Sequence, residues 1–242
     1  MSNLQAQDSN KLSKDKHQFK YYDLMMAAFV VVLICSNIIG PAKLASIDIF
    51  GENYIYGAGV LFFPLSYVFG DILTEVYGYA RARKVIWVGF VGVFFASIMS
   101  FIIVELPPAA GWEGQEAYAL IFGQVPRIVF ASLIAFFTGE MINAYIMAKM
   151  KIWTKGKHLW TRTIGSTVVG QGFDSLIFYP VAFYGIWSNE ILLTVMFSNF
   201  LIKVGWEAVL TPVTYKVVGM LKRAEKVEIF DNNTDFSPFK IN

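Results

Sequence analysis

The stretch VIWVGFVGVFFASIMSFIIV, residues 85–104, runs for twenty residues without a charge. At about 1.5 Å per residue, a helix of that length covers about 30 Å, the thickness of a bilayer's hydrocarbon core. It reads as a transmembrane helix, and the rest of the chain follows its composition. Apolar residues make up 56% and aromatic residues 17%, against 16% charged. That is too little charge to solvate a soluble globule of 242 residues. The single cysteine, Cys35, lies in an apolar run and has no internal disulfide partner. The N-terminus is polar and basic through Lys20, so no cleaved signal peptide is expected.

Five more spans flank this one: Tyr22–Pro41, Ile55–Gly78, Pro126–Ala148, Thr163–Trp187 and Ile191–Met220. The expected fold is an all-α polytopic membrane protein of six transmembrane helices. Residues 1–20 read as a disordered cytoplasmic tail, 21–222 as the six-span domain and 223–242 as a C-terminal cytoplasmic tail, with 229–242 disordered. Basic residues set the orientation. Seventeen of the 20 fall in the N-terminal tail, the loops 79–84 and 149–162, and the segment from Lys216 onward. Six spans put all of these on one side, so both termini are expected in the cytoplasm. The loops opposite carry acids instead, among them Asp48, Glu52, Glu105, Glu113, Glu116 and Glu190. Trp87, Trp153, Trp160 and Trp187 lie near span ends and read as interfacial residues.

Charges inside the spans set the candidate site. A charge at mid-bilayer costs roughly 2.5–3.5 kcal/mol on insertion scales, so such residues face a bundle interior or a cavity. FPLSYVFGDILTEVYG, residues 63–78, carries Asp71 and Glu75 one helical turn apart. Counted from the cytoplasmic ends, Asp71, Glu140, Asp174, Lys203 and Glu207 lie about 14–20 Å deep, in one layer near the midplane. Glu75 is shallower, at about 9 Å, where Arg81 or Arg83 could pair with it. Tyr67 shares the face of Asp71. Gln171 and Asp174 continue a polar stripe from Thr163, with Thr167 and Gly170. Asn199 lines up with Lys203 and Glu207, and Glu140 with Asn143. Asn37 sits in the outer half of the first span. Arg127 opens the fourth, where it either snorkels outward or meets an acid of the long external loop.

Each residue has a bland reading too. Lys203 and Glu207, four apart, can neutralise each other. The aromatics of these helices suit core packing as well as ligand stacking. Asp71, Glu140 and Asp174 have no base within reach on their own helices, which favours a functional role for them. Five acids facing two bases leave the layer at about −3, so some must hold a proton or face a cation or donor-rich ligand. The layer does not suit an anion. Substrate-binding candidates are Asp71, Glu75, Glu140, Gln171, Asp174, Asn199, Lys203, Tyr67 and Asn37. Candidates for proton coupling or charge balance are Asp71, Glu140, Glu207 and Arg127.

Catalytic motifs are missing. The chain has neither a P-loop nor H-E-x-x-H, and both histidines, His17 and His158, lie outside the spans. No catalytic residue, metal site or cofactor is expected, and the chain does not read as an enzyme.

The blocks FPLSYVFGDILTEVYGYARARKVI, RIVFASLIAFFTGEMINAY, GQGFDSLIF and NFLIKVGWEAVLTPVTY together resemble the queuosine precursor transporter family, also grouped among vitamin-uptake transporters. The resemblance covers residues 22–225. It implies a multi-pass protein of the bacterial inner membrane that imports 7-cyano- or 7-aminomethyl-7-deazaguanine for tRNA modification. It implies no direct contact with nucleic acid; the partners are the small base and the lipid bilayer. Two other classes stand beside it: a substrate-capturing subunit of an ATP-driven vitamin uptake system, and a membrane enzyme, for which no catalytic constellation exists. Six spans divide three plus three, and related halves would be inverted repeats, with Pro64 near Asp71 and Pro180 near Asp174 in corresponding places. Ser166 and Gly170 permit close helix contact, within one chain or across a homodimer.

Overall fold

The computed structural model describes residues 18–38, 44–49, 52–57, 62–123 and 126–240. The expected disorder of the N-terminal tail falls almost wholly outside them. Seven helices are present among the described residues: α1 Tyr22–Ile38, α2 Phe63–Tyr77, α3 Tyr79–Glu105, α4 Gln115–Phe122, α5 Pro126–Trp153, α6 Leu159–Phe183 and α7 Asn189–Glu225. Three stretches are long and apolar enough to cross a membrane by length and composition: Tyr79–Glu105, Gln115–Trp153 and Asn189–Glu225. Tyr22–Ile38 is apolar but shorter, and α6 is long but carries the polar stripe. Large apolar side chains stand exposed on the outer faces, such as Phe95, Phe130, Phe197 and Val209, as lipid-facing surfaces require.

The helical fold is interrupted between α1 and α2, where β1 Leu44–Ile49 pairs antiparallel with β2 Glu52–Gly57, Leu44 opposite Gly57 and Ile49 opposite Glu52. Ile47, Ile49, Tyr54, Ile55 and Tyr56 are residues that favour strands. The start of the expected second span thus belongs to a hairpin. What remains, α2, has only 15 residues and is about 22 Å long. It is central, packed against α1, α3, α5 and α7, and nearly every residue from Ser66 onward is buried. A helix sheathed by four others can carry acids without meeting lipid. Pro64 lies in its first turn, where a missing N–H costs nothing, so it opens the helix rather than breaking it.

The tightest contact joins α5 and α6. A Cβ on Gly170 would lie 2.8 Å from the Cβ of Asn143 and from the carbonyl oxygen of Gly139. Only glycine lets these backbones approach so closely, and the contact lies within one chain. Ser166 faces the Met147 sulfur in the same seam.

The C-terminal segment is not the disordered tail expected from its polar composition. Past α7 it folds back across the ends of the helices. Asp231 accepts from the Tyr79 backbone N–H at 3.2 and 3.1 Å, capping α3. Arg83 donates to the carbonyl of Asp235 at 2.8 Å, and Trp87 donates to that of Pro238 at 2.8 Å. Trp87 is thus a tail ligand rather than a free interfacial residue. Phe236 packs on Tyr79 and Tyr145 beneath the Lys149 ammonium. The chain turns from α2 to α3 at Gly78, whose φ of 82° favours glycine and whose Cβ would meet Ile229 at 3.0 Å. Glu225 accepts from the backbone N–H groups of Lys20 and Tyr21, so the first and last described segments meet at one end.

Candidate functional site

Between the helices lies a layer of buried carboxylates. Asp71 on α2 is 0% exposed, Glu140 on α5 2% and Glu207 on α7 1%. They lie within electrostatic reach of one another. Asn143, one turn beyond Glu140, donates to Asp71 Oδ1 at 2.7 Å. The other oxygen of Asp71 and both oxygens of Glu140 and of Glu207 make no hydrogen bond to a described residue. The oxygens of Asn143 and Gln171 and the hydroxyls of Thr167 and Ser175 share that condition. Glu140 reaches α2 directly, its Oε2 only 2.7 Å from where a Cβ of Gly70 would stand. The inventory is rich in acceptors, with two hydroxyls that could donate. An unmet buried acceptor costs about 1–3 kcal/mol, and more when charged, so this cluster favours protonation of its carboxyls or a partner that donates.

Asp174 and Lys203, within electrostatic reach of Glu140, form an ion pair between α6 and α7. The Lys203 ammonium also lies 5.9 Å from the ring centroid of Tyr67. Lys203 does not neutralise Glu207, the partner that spacing along α7 suggested. Its side chain reaches across to the neighbouring helix instead.

Glu75 is surrounded by cations, and neither Arg81 nor Arg83 is its partner. Its Oε1 meets Lys222 at 2.6 Å, Arg162 at 2.8 Å and Lys151 at 3.4 Å. Lys151 also donates to the Glu75 carbonyl at 2.8 Å. Glu228 of the C-terminal segment completes the cluster, at 2.8 Å from both Lys151 and Lys222. One carboxylate thus ties together α2, α5, α6 and α7. No spacing rule on a single helix could find this, because every partner lies on a different element.

The remaining candidates lie elsewhere. Asn199 donates to the Val195 carbonyl of its own helix at 3.0 Å. Asn37 donates to the Leu33 carbonyl at 2.8 Å and accepts from Ser132 at 3.3 Å. It borders a cavity of about 260 Å³ lined mainly by Phe94, Phe101, Ile121, Phe122 and Leu133, which lacks the polar groups of the carboxylate layer. Arg127 is exposed and donates to the carbonyls of Val181 and Tyr184, at the C-terminal end of α6, and makes no ion pair with an acid among the described residues. A cation there complements the helix dipole. Among the described residues no group of His, Cys, Asp and Glu could hold a metal ion.

The family model described as "Putative vitamin uptake transporter" matches residues 57–217, which include all of the carboxylate layer. A Bacillus subtilis (strain 168) protein named "Probable queuosine precursor transporter" is 31% identical over 197 residues, 80% of this chain and 82% of that protein. The chain belongs to the vitamin uptake transporter family. Members from other bacteria match shorter stretches. A Haemophilus influenzae protein named "Probable queuosine precursor transporter" is 29% identical over 52% of this chain and 51% of its own length. The Escherichia coli (strain K12) "Queuosine precursor transporter" is 26% identical over 57% of this chain and 59% of its own. The resemblance carried by the motif blocks is borne out at the level of the family. No solved structure matches this family member.

Proposed function

We propose that the protein imports a 7-deazaguanine precursor of queuosine across the bacterial inner membrane, as a secondary transporter with six spans and both termini in the cytoplasm. The observation that carries this reading is the set of buried carboxylates Asp71, Glu140 and Glu207, on α2, α5 and α7, which form no ion pair among the described residues. A guanine-like edge presents a ring N–H beside an exocyclic amine, and one carboxylate can accept both. Asp71, held in orientation by Asn143, is the best placed acceptor. Gln171 or Lys203 meets the ring carbonyl, and Tyr67 covers a ring face. Glu140 and Glu207 then carry a proton for coupling or face the cationic aminomethyl substituent. Alternating access exposes the layer to each side in turn.

The test is uptake of the radiolabelled base into liposomes holding the purified protein without nucleotide. Native protein is expected to accumulate it, and Asp71→Asn and Asp174→Asn to lose at least nine-tenths of the rate. Undiminished uptake in both variants would remove the site assignment. Tight binding without uptake would turn the reading to a capturing subunit that needs an ATP-driven partner.

A further inference from the structure

The C-terminal segment and the Glu75 cluster together close one end of the bundle. Below the carboxylate layer, the Thr163 and Thr211 hydroxyls approach to 3.5 Å. At the next level Glu75 binds Arg162, Lys151 and Lys222, from three helices. Glu228 then joins two of those cations to the segment that follows α7. From there residues 229–238 run over α3 and α5, held by Asp231 on the start of α3, Arg83 and Trp87 on its carbonyls, and the packing of Phe236. A polar segment that merely followed the last helix would have no reason to spend three backbone carbonyls on Arg83 and Trp87.

We propose that residues 226–240 are a latch that holds this end of the transport pathway shut, with the Glu75 cluster as the gate it secures. Opening parts Glu75 on α2 from Arg162 on α6 and Lys222 on α7. Glu228 is the link between latch and gate, because it shares both lysines with Glu75. The inference rests on the transport reading above for the word pathway. Its test needs no substrate.

The substitution Thr163→Cys, at a side chain buried behind the cluster, is combined with Cys35→Ser in the whole 242-residue chain. Labelling by an impermeant maleimide is timed in vesicles that expose the tail-bearing end. Cleavage of the C-terminal segment by added protease is followed in the same samples. The parent is expected to be labelled slowly and to resist cleavage. Phe236→Ala with Asp231→Asn, which lifts the latch without touching the gate, is expected to raise both rates at least tenfold. Glu228→Gln, which cuts the link alone, is expected to raise labelling with little change in cleavage. If the segment becomes cleavable while labelling stays within twofold of the parent, it is a brace and the proposal fails. It fails equally if no variant frees the segment, or if the parent is already labelled as fast as the variants. Labelling that behaves as expected in a protein that takes up no deazaguanine would leave the latch standing and sink only the substrate reading.

Discussion

Glu75 and Glu140 are the same residue, buried to within a percent of each other, in surroundings of opposite chemistry. Three cations from three helices converge on Glu75. Neither oxygen of Glu140 has a hydrogen-bond partner among the described residues. A carboxylate of the first kind is neutralised by the fold through one oxygen, Oε1 in Glu75, and ties helices together, while its Oε2 has no hydrogen-bond partner among the described residues. One of the second kind is a cost that the described contacts do not meet, which is why we propose Glu140 and its neighbours for the substrate site. The contrast separates structural from functional acids better than depth does, because both kinds lie well inside the bundle.

The largest expected effect breaks the satisfied side. Glu75→Gln strands three buried or half-buried cations and should cost about 3–5 kcal/mol of stability, read as thermal unfolding in detergent. Glu140→Gln should leave stability within about 1 kcal/mol, or raise it, because it removes a buried charge with no partner to strand. Equal losses in the two variants would erase the distinction. Lys203→Met tests the intermediate case. Its pair with Asp174 is partly exposed, so the expected cost is about 2 kcal/mol. Much of that loss should be recovered when Asp174→Asn is added, as a double-mutant cycle shows.

A smaller effect is expected from Gly170→Ala, about 1–2 kcal/mol, because the new methyl would lie 2.8 Å from Asn143. The informative part is the displacement of Asn143 from Asp71, read as weaker base binding. The smallest effect is on pH. Burial pushes Glu228 up, but hydrogen bonds from Lys151 and Lys222 outweigh it and hold the carboxyl below its ordinary range. A backbone hydrogen bond from Ser237, with Lys240, does the same for Asp235. Both carboxyls have depressed folded values, so their contribution is complete above the ordinary carboxylate range of about 4 and is lost as pH falls through the folded values. Protease cleavage of the segment, through loss of the Asp235 contacts, should therefore quicken only in acid below that range. Quickening near neutral pH would point to other groups.

How much of this was legible in the sequence follows from the range of the forces involved. The positions of the long helices α3, α5, α6 and α7 were readable because hydropathy is a local property of the chain, whereas the short α4 falls in a stretch that read as a long external loop. The candidate layer was readable as faces, since helical spacing aligns Asp71 with Tyr67 and Glu140 with Asn143. Partners were not readable, because Lys203 and Glu75 make their bonds across helices. The shortness of α2 was hidden by the apolar residues before it, which suit a hairpin as well as a membrane helix. Composition made the C-terminal segment look disordered, yet its order comes from a few acids and backbone carbonyls meeting Arg83, Trp87 and Lys151 far away in the chain. The basic residues that set the expected orientation are in part the same ones that these contacts engage.

The central claim is that the carboxylates the fold leaves unmet are the ones that carry substrate. The direct measurement is calorimetric binding of 7-aminomethyl-7-deazaguanine to purified native protein, Asp71→Asn and Glu140→Gln, each shown to be folded by thermal unfolding. The account predicts binding by the native protein, and a loss of at least tenfold in affinity for each variant at native-like stability. Folded variants that bind as tightly as the native protein would contradict it.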